Sequence, residues 1–171
     1  MQHIAFFRNV NQGQRGHPST GDLLAAVHSA GGSDAFAFRS NGTVVLKAES
    51  GNDVQSRLRM DAAGPLADRT MFVRPASLLE QFAPHAGSPT LGRLEVAVFD
   101  ADAHLDDVGA IGSASRRGRC EIVAHGKGWA LVLNHVDHQS NGTPVIERIT
   151  GRPATSRGLP TLLALVERLD L

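Results

Sequence analysis

Apolar residues in this chain come in short runs of strand or helix length, separated by polar stretches punctuated by glycine, proline and asparagine. The first run, Ile4-Ala5-Phe6-Phe7, reads as a buried strand over residues 3–8. It ends abruptly in Arg8, two asparagines and Gly13, and a polar loop continues through Pro18. Ser19-Thr20-Gly21-Asp22 has the Ser-x-x-acid form of a helix start. Leu23, Leu24, Val27 and Ala30 supply that helix's apolar face, and Gly31-Gly32 stops it. Ala35–Phe38 and Thr43–Leu46 are β-rich runs joined by Arg39-Ser40-Asn41-Gly42, where Asn-Gly signals a two-residue hairpin turn. Ser50 opens a second helix carrying Val54, Leu58 and Met60, and Thr70–Arg74 reads as a further strand. The order β-α-β-β-α-β is the ferredoxin-like split βαβ arrangement.

Beyond it, Pro75 is placed as the first residue of a third helix bearing Leu78, Leu79 and Phe82. Arg93–Asp100 is a strand, and residues 101–118 hold room for a short helix. Cys120–His125 and Trp129–His135 pair through the Gly126-Lys127-Gly128 turn. Thr143-Pro144 opens a helix with Val145, Ile146 and Ile149, and Pro160 opens the last one. The pattern predicts an α+β fold: ferredoxin-like βαββαβ units, a mostly antiparallel sheet and helices packed on one face. Two similar-sized halves, 1–74 and 75–171, are expected in one compact body. No sequence repeat relates them.

Lys plus Arg and Asp plus Glu both number 17, so no long-range field draws in nucleic acid or an anionic membrane. No apolar stretch approaches the ~18 residues of a membrane helix. The single Cys120 excludes an intrachain disulfide, and with no leader segment it suggests a reducing, cytoplasmic setting. No G-x-G-x-x-G, P-loop, H-E-x-x-H, G-x-S-x-G or C-x-x-C occurs, and neither a cofactor nor a metal is expected.

Four groups of residues have the chemistry of a site. Arg8, Asn11 and Gly13 combine a planar cation, a neutral donor–acceptor and close backbone approach, which suits an anion. The same three also suit a plain structural loop. Thr155, Ser156 and Arg157, just before a proline-started helix, suit either a cap or an anion held at the helix N-terminus. His135 and His138 flank Asp137, but on a strand end their side chains diverge. Asp100, Asp102, Asp106 and Asp107 form an acidic loop, and Arg116, Arg117 and Arg119 a short basic run.

The chain resembles the bacterial domain-of-unknown-function family 1697. That family opens with an apolar strand and Arg-Gly-Ile-Asn-Val-Gly-Gly; here Arg8-Asn9-Val10-Asn11-Gln12-Gly13-Gln14 keeps Arg8, Asn11 and Gly13. Its Gln-Ser-Gly-Asn-Val-Val corresponds to Ser40-Asn41-Gly42-Thr43-Val44-Val45, and its Ala-Thr-Thr-Arg-Asn-Trp-Asn-Thr to Ala154-Thr155-Ser156-Arg157-Gly158-Leu159-Pro160-Thr161. Met71–Arg74 is similar to the family's central strand. The resemblance implies that Arg8, Asn11, Gly13, Asn41, Gly42, Thr155 and Arg157 form one pocket for a small anionic ligand, with the two arginines as clamps. An enzyme is the alternative, with Asp100, His135 or His138 as acid or base, and so is an interaction module that forms a homo-oligomer.

Overall fold

A computed structural model describes residues 1–171. The first six elements are β1 (Gln2–Phe7), α1 (Thr20–Ser29), β2 (Ser33–Phe38), β3 (Thr43–Lys47), α2 (Gly51–Met60) and β4 (Met71–Pro75). Next come 3-10 turns over Ala76–His85. The remaining elements are β5 (Leu94–Phe99), α3 (Val108–Gly118), β6 (Cys120–Gly126), β7 (Trp129–Asn134), α4 (Gly142–Thr150), β8 (Ala154–Gly158) and α5 (Leu159–Leu169). The chain divides into two units, Met1–Leu78 and Leu79–Leu171. Each holds one four-stranded antiparallel sheet, ordered β2-β3-β1-β4 in the first and β6-β7-β5-β8 in the second. Both are the ferredoxin-like order, with each βαβ split by a strand between.

Local chemistry explains the helices. Ser19 accepts from the Asp22 amide while Asp22 accepts from the Ser19 amide, a reciprocal cap that starts α1. Ser50 does the same one-sidedly for α2, and Asp107 for α3. In the first unit, Leu23, Val27, Val54 and Leu58 pack on Ala5, Phe7, Val44, Leu46 and Val73. In the second, Ala114, Val145 and Ile146 pack on Ala97, Phe99, Ala130 and Val132. The opposite sheet faces are buried as well, at Ile4, Phe6, Val45 and Phe72 and at Val96, Val98 and Leu131. Burial on both faces is why these strands read as unbroken apolar runs rather than alternating ones.

Four details depart from the pattern-based expectation. The 39–42 connection is a four-residue loop, because Phe38 pairs with Thr43 and both Arg39 (φ 61°) and Gly42 (φ 73°) are left-handed. Met60 is 74% exposed, lying off the Val54–Leu58 stripe. Pro75 does not begin an α-helix: it ends β4 opposite His3, and 3-10 turns follow. Thr155–Arg157 is not a helix cap but the middle of strand β8, and α5 starts without any side-chain cap.

The two units also share their register. Ile4 lies between Val45 and Arg74, and Val96 lies between Leu131 and Arg157. Gly51 and Gly142 are each first in their unit's second helix; a Cβ on Gly51 would clash with His3 Cδ2 at 2.5 Å, and one on Gly142 would press on the Glu95 carboxylate at 3.0 Å. His3 and Glu95 occupy the same position on the two central strands, one residue before Ile4 and Val96.

Candidate functional site

At the end of β1 the chain turns through Asn9 in the left-handed region (φ 54°) and enters a loop pinned at several points. The Arg8 amide donates to the Thr70 carbonyl (2.8 Å), and the Gln12 amide donates to the Ser40 carbonyl (2.8 Å). The Arg69 guanidinium donates to the carbonyls of Asn9 and Gly16. The Asn11 amide donates to His17 Nδ1 (3.1 Å), which requires an unprotonated Nδ1. Residues 8–17, 39–42 and 66–70 thus form one rim. It carries Arg8, Arg15, Arg39 and Arg69 against a single acid, Asp68, in a chain whose charges balance.

The expected site residues in this unit divide by role. Asn11 and Gly13 are exposed and Arg8 is half-buried. Gly13 has open space where a Cβ would stand, so its φ of 89° alone calls for glycine. Asn41 is committed to the fold, its Oδ1 accepting from the buried Thr43 hydroxyl (2.8 Å). Gly42 is committed too: a Cβ there would sit 2.8 Å from Val10 Cβ and 2.9 Å from the Phe7 carbonyl.

Thr155 and Arg157 lie in the second unit. Arg157 is 7% exposed, and its Nη1 donates to Thr155 Oγ1 (2.9 Å) and the Ser156 carbonyl (2.7 Å). Burial pulls its pKa down to about 10. Arg74, at the matching position of β4 and equally buried, donates to the Val73 carbonyl (2.8 Å). Both are the last strands of their sheets, so each arginine covers a carbonyl on the open edge.

Sequence reasoning missed Glu95. It is 3% exposed, and its carboxylate accepts from the Gly142 amide (2.6 Å), Asn134 Nδ2 (2.9 Å) and the Ser140 hydroxyl (2.6 Å). Ser156 joins through Ser140 (3.3 Å) and Thr143 (3.0 Å). Glu95 caps the first turn of α4 from a neighbouring strand, where the helix's own Asn141 makes no side-chain cap. The signal was present: a lone acid inside an apolar strand has to find buried donors. With three donors converging on it, this carboxylate is architecture first.

The remaining candidates disperse. Asp102 pairs with Arg152 (2.8 Å), which lowers its carboxyl, and Asp107 caps α3. His135 and His138 are both exposed, and no three His, Cys, Asp or Glu side chains converge as a metal site. Burial, then the nearby Glu95 charge, pushes the Cys120 thiol up to about 11, the opposite of a nucleophile's setting. A cleft of about 470 Å³ in the first unit lies away from the rim, between Lys47, Glu49, Asp53 and Arg57. Its exposed charges of both signs mark a surface groove rather than a site of one specificity.

No helix is long and apolar enough to cross a membrane. No family model matches the chain, and no curated protein matches it. Among solved structures, the conserved bacterial protein SP0830 from Streptococcus pneumoniae aligns with a TM-score of 0.63 and 11% identity, over 98% of both chains. An SXL-lethal protein/RNA complex aligns over 92% of this chain and 98% of that one with a TM-score of 0.32 and 11% identity, too low to carry an argument. The chain is therefore similar in fold, end to end, to a conserved bacterial protein.

Proposed function

We propose that this chain is a bacterial ligand-binding protein, a divergent relative of domain-of-unknown-function family 1697, that binds a small anion at the rim of its first unit. Arg8 and the exposed Asn11 and Gly13 make the contacts, and Asn41 and Gly42 shape the loop that supports them. The carrying observation is the charge of the rim: four arginines and one acid on loops pinned to one another. Thr155 and Arg157 remain candidates of the second unit, to be tested on their own. A cytoplasmic location is part of the same proposal.

The test is thermal unfolding against sulfate, with potassium chloride at matched ionic strength as control. A ligand of the native state raises the midpoint progressively with concentration, and at a hundredfold excess over Kd it adds about 2.7 kcal/mol of stability. Sulfate is expected to do so, and Arg8→Gln is expected to remove most of the effect. An equal response to chloride and sulfate, or an unchanged response in Arg8→Gln, defeats the proposal.

A further inference from the structure

Helices α1 and α2 and the segment after α2 enclose a second cavity of the first unit, of about 200 Å³. Its walls include Ala26, Leu58, Pro65 and Leu66, and Leu58 and Leu66 belong to the buried core. Apolar walls distinguish it from the larger, charged cleft that Arg57 also borders. Three charged residues line it as well, Asp22, Arg57 and Asp61, all of them exposed and so at its mouth. A volume below the roughly 300 Å³ of sites for drug-sized ligands fits a small molecule with an apolar body.

The charges at the mouth are available to such a molecule. Arg57 and Asp61 stand four residues apart on α2, the spacing at which opposite charges on a helix meet. Neither side chain makes a hydrogen bond or an ion pair, with the other or with anything else. Asp61 is also the C-cap of α2, where the helix dipole disfavours a negative charge. An unpaired carboxylate there does nothing to hold the helix. Asp22 Oδ2 accepts from the Ser19 amide and hydroxyl (both 2.8 Å), which leaves Oδ1 over. Arg57 Nη1 reaches over Gly31, just past the end of α1, where a Cβ would stand 3.0 Å from it. One helical turn, about 6 Å along the axis, separates Arg57 from Asp61.

We propose that this cavity binds a free α-amino acid with an apolar side chain. The ligand's carboxylate lies on the Arg57 guanidinium, whose planar fork matches it. Its ammonium lies on Asp61 and Asp22, and its side chain fills the apolar pocket. A carboxylate and an ammonium on one carbon bridge one helical turn when each adds a hydrogen bond of about 3 Å to its partner. The proposal is independent of the anion reading of the rim, whose arginines take no part in it.

Titration calorimetry with L-leucine tests it, beside three probes that each lack one part. Glycine lacks the side chain, 4-methylpentanoate the ammonium and 3-methylbutylamine the carboxylate. Leucine is expected to bind at least about tenfold more tightly than any of the three, because a site built around a polar group rejects analogues without it. Arg57→Gln should lose the preference for leucine over 3-methylbutylamine, and Asp61→Asn most of the preference over 4-methylpentanoate. Both positions are exposed, so both variants should keep the wild-type circular dichroism. The Ala26 and Leu58 methyl resonances of the wild type should shift on saturation with leucine, a readout independent of any variant's folding. Failure of leucine to bind, binding no tighter than glycine's, or methyl resonances that stay in place overturns the proposal. So does a preference for leucine that both variants keep.

Discussion

Replacing Glu95 tests whether a strand residue really holds the start of α4. Glu95→Ala strips the acceptor from two protected donors, the Gly142 amide and one hydrogen of Asn134 Nδ2. Each orphaned donor costs about 1–3 kcal/mol. Ser140 is exposed and can turn to water, so its hydroxyl adds little. Losing a negative charge at the first turn of the helix adds up to about 1 kcal/mol. The sum is about 2–7 kcal/mol for Glu95→Ala, a range that spans the cost of removing one partner of a buried polar pair. Glu95→Gln keeps an oxygen for the Gly142 and Asn134 donors and turns its NH2 toward Ser140, so only charge is lost, about 1–2 kcal/mol. Urea unfolding followed by Trp129 fluorescence measures both, because β7 pairs with β5 in the same sheet. A cost below about 1 kcal/mol for Glu95→Ala, well under that of a single lost buried acceptor, would refute the capping argument. So would a Glu95→Gln variant as damaged as Glu95→Ala, which would mean that charge and not the acceptors holds the helix.

Three further outcomes follow from single residues. Gly42→Ala puts a Cβ 2.9 Å from the Phe7 carbonyl on a left-handed backbone and should cost about 2–4 kcal/mol in chemical denaturation followed by circular dichroism. His3, buried beneath Gly51, has its pKa pulled below 6.5, first by burial, so it folds as the neutral form. Its contribution is fully present above pH 6.5 and is lost as pH falls through the lowered folded value, so His3→Gln should flatten the acid side of the stability profile. Cys120, with its thiol pushed up to about 11, should stay unmodified by a thiol reagent at pH 8 until the protein is unfolded; modification of the native protein at the rate of a free thiol would contradict the burial.

Most of the fold was legible because its signals are local. Ser19 and Asp22 announce α1, and the apolar runs at residues 4–7 and 96–99 are too polar-free to be anything but buried strands or helix segments. The misreadings share one cause: residues whose local preference was overruled by a distant partner. Pro75 favours a helix start but completes the pairing with His3. Asn41-Gly42 favours a two-residue turn, yet Gly42 is drawn under the end of β1, its carbonyl accepting from the Phe7 amide (2.8 Å). Thr155 and Ser156 favour a cap, yet they lie opposite Val98 and Ala97. The site was less legible for the same reason. Arg8, Asn11 and Gly13 stand out in the sequence, but the neighbouring Arg69 enters the rim from sixty residues away.

The repeated unit explains why one loop and not its counterpart draws the functional argument. Ile4 with Arg74 and Val96 with Arg157 show the same register in the two sheets, and Gly51 and Gly142 show the same close approach to the central strand. Those agreements involve few side chains, spaced by pairing rather than by sequence, so no sequence repeat is visible. What differs is the connection after each central strand. The loop after β1 carries Arg8 and Arg15 and no acid before the helix cap, while the loop after β5 carries Asp100, Asp102, Asp106 and Asp107. Asp102 and Asp107 of the second loop are spent on Arg152 and the α3 cap. In the first loop, Asn11 and Gly13 face solvent. Two copies of one scaffold with connections of opposite charge also account for a chain that is neutral as a whole and basic in one place. On the proposed reading, the first loop attracts an anion and the acidic second loop does not, so a binding stoichiometry of one anion per chain is the expectation that separates the rim from scattered surface arginines.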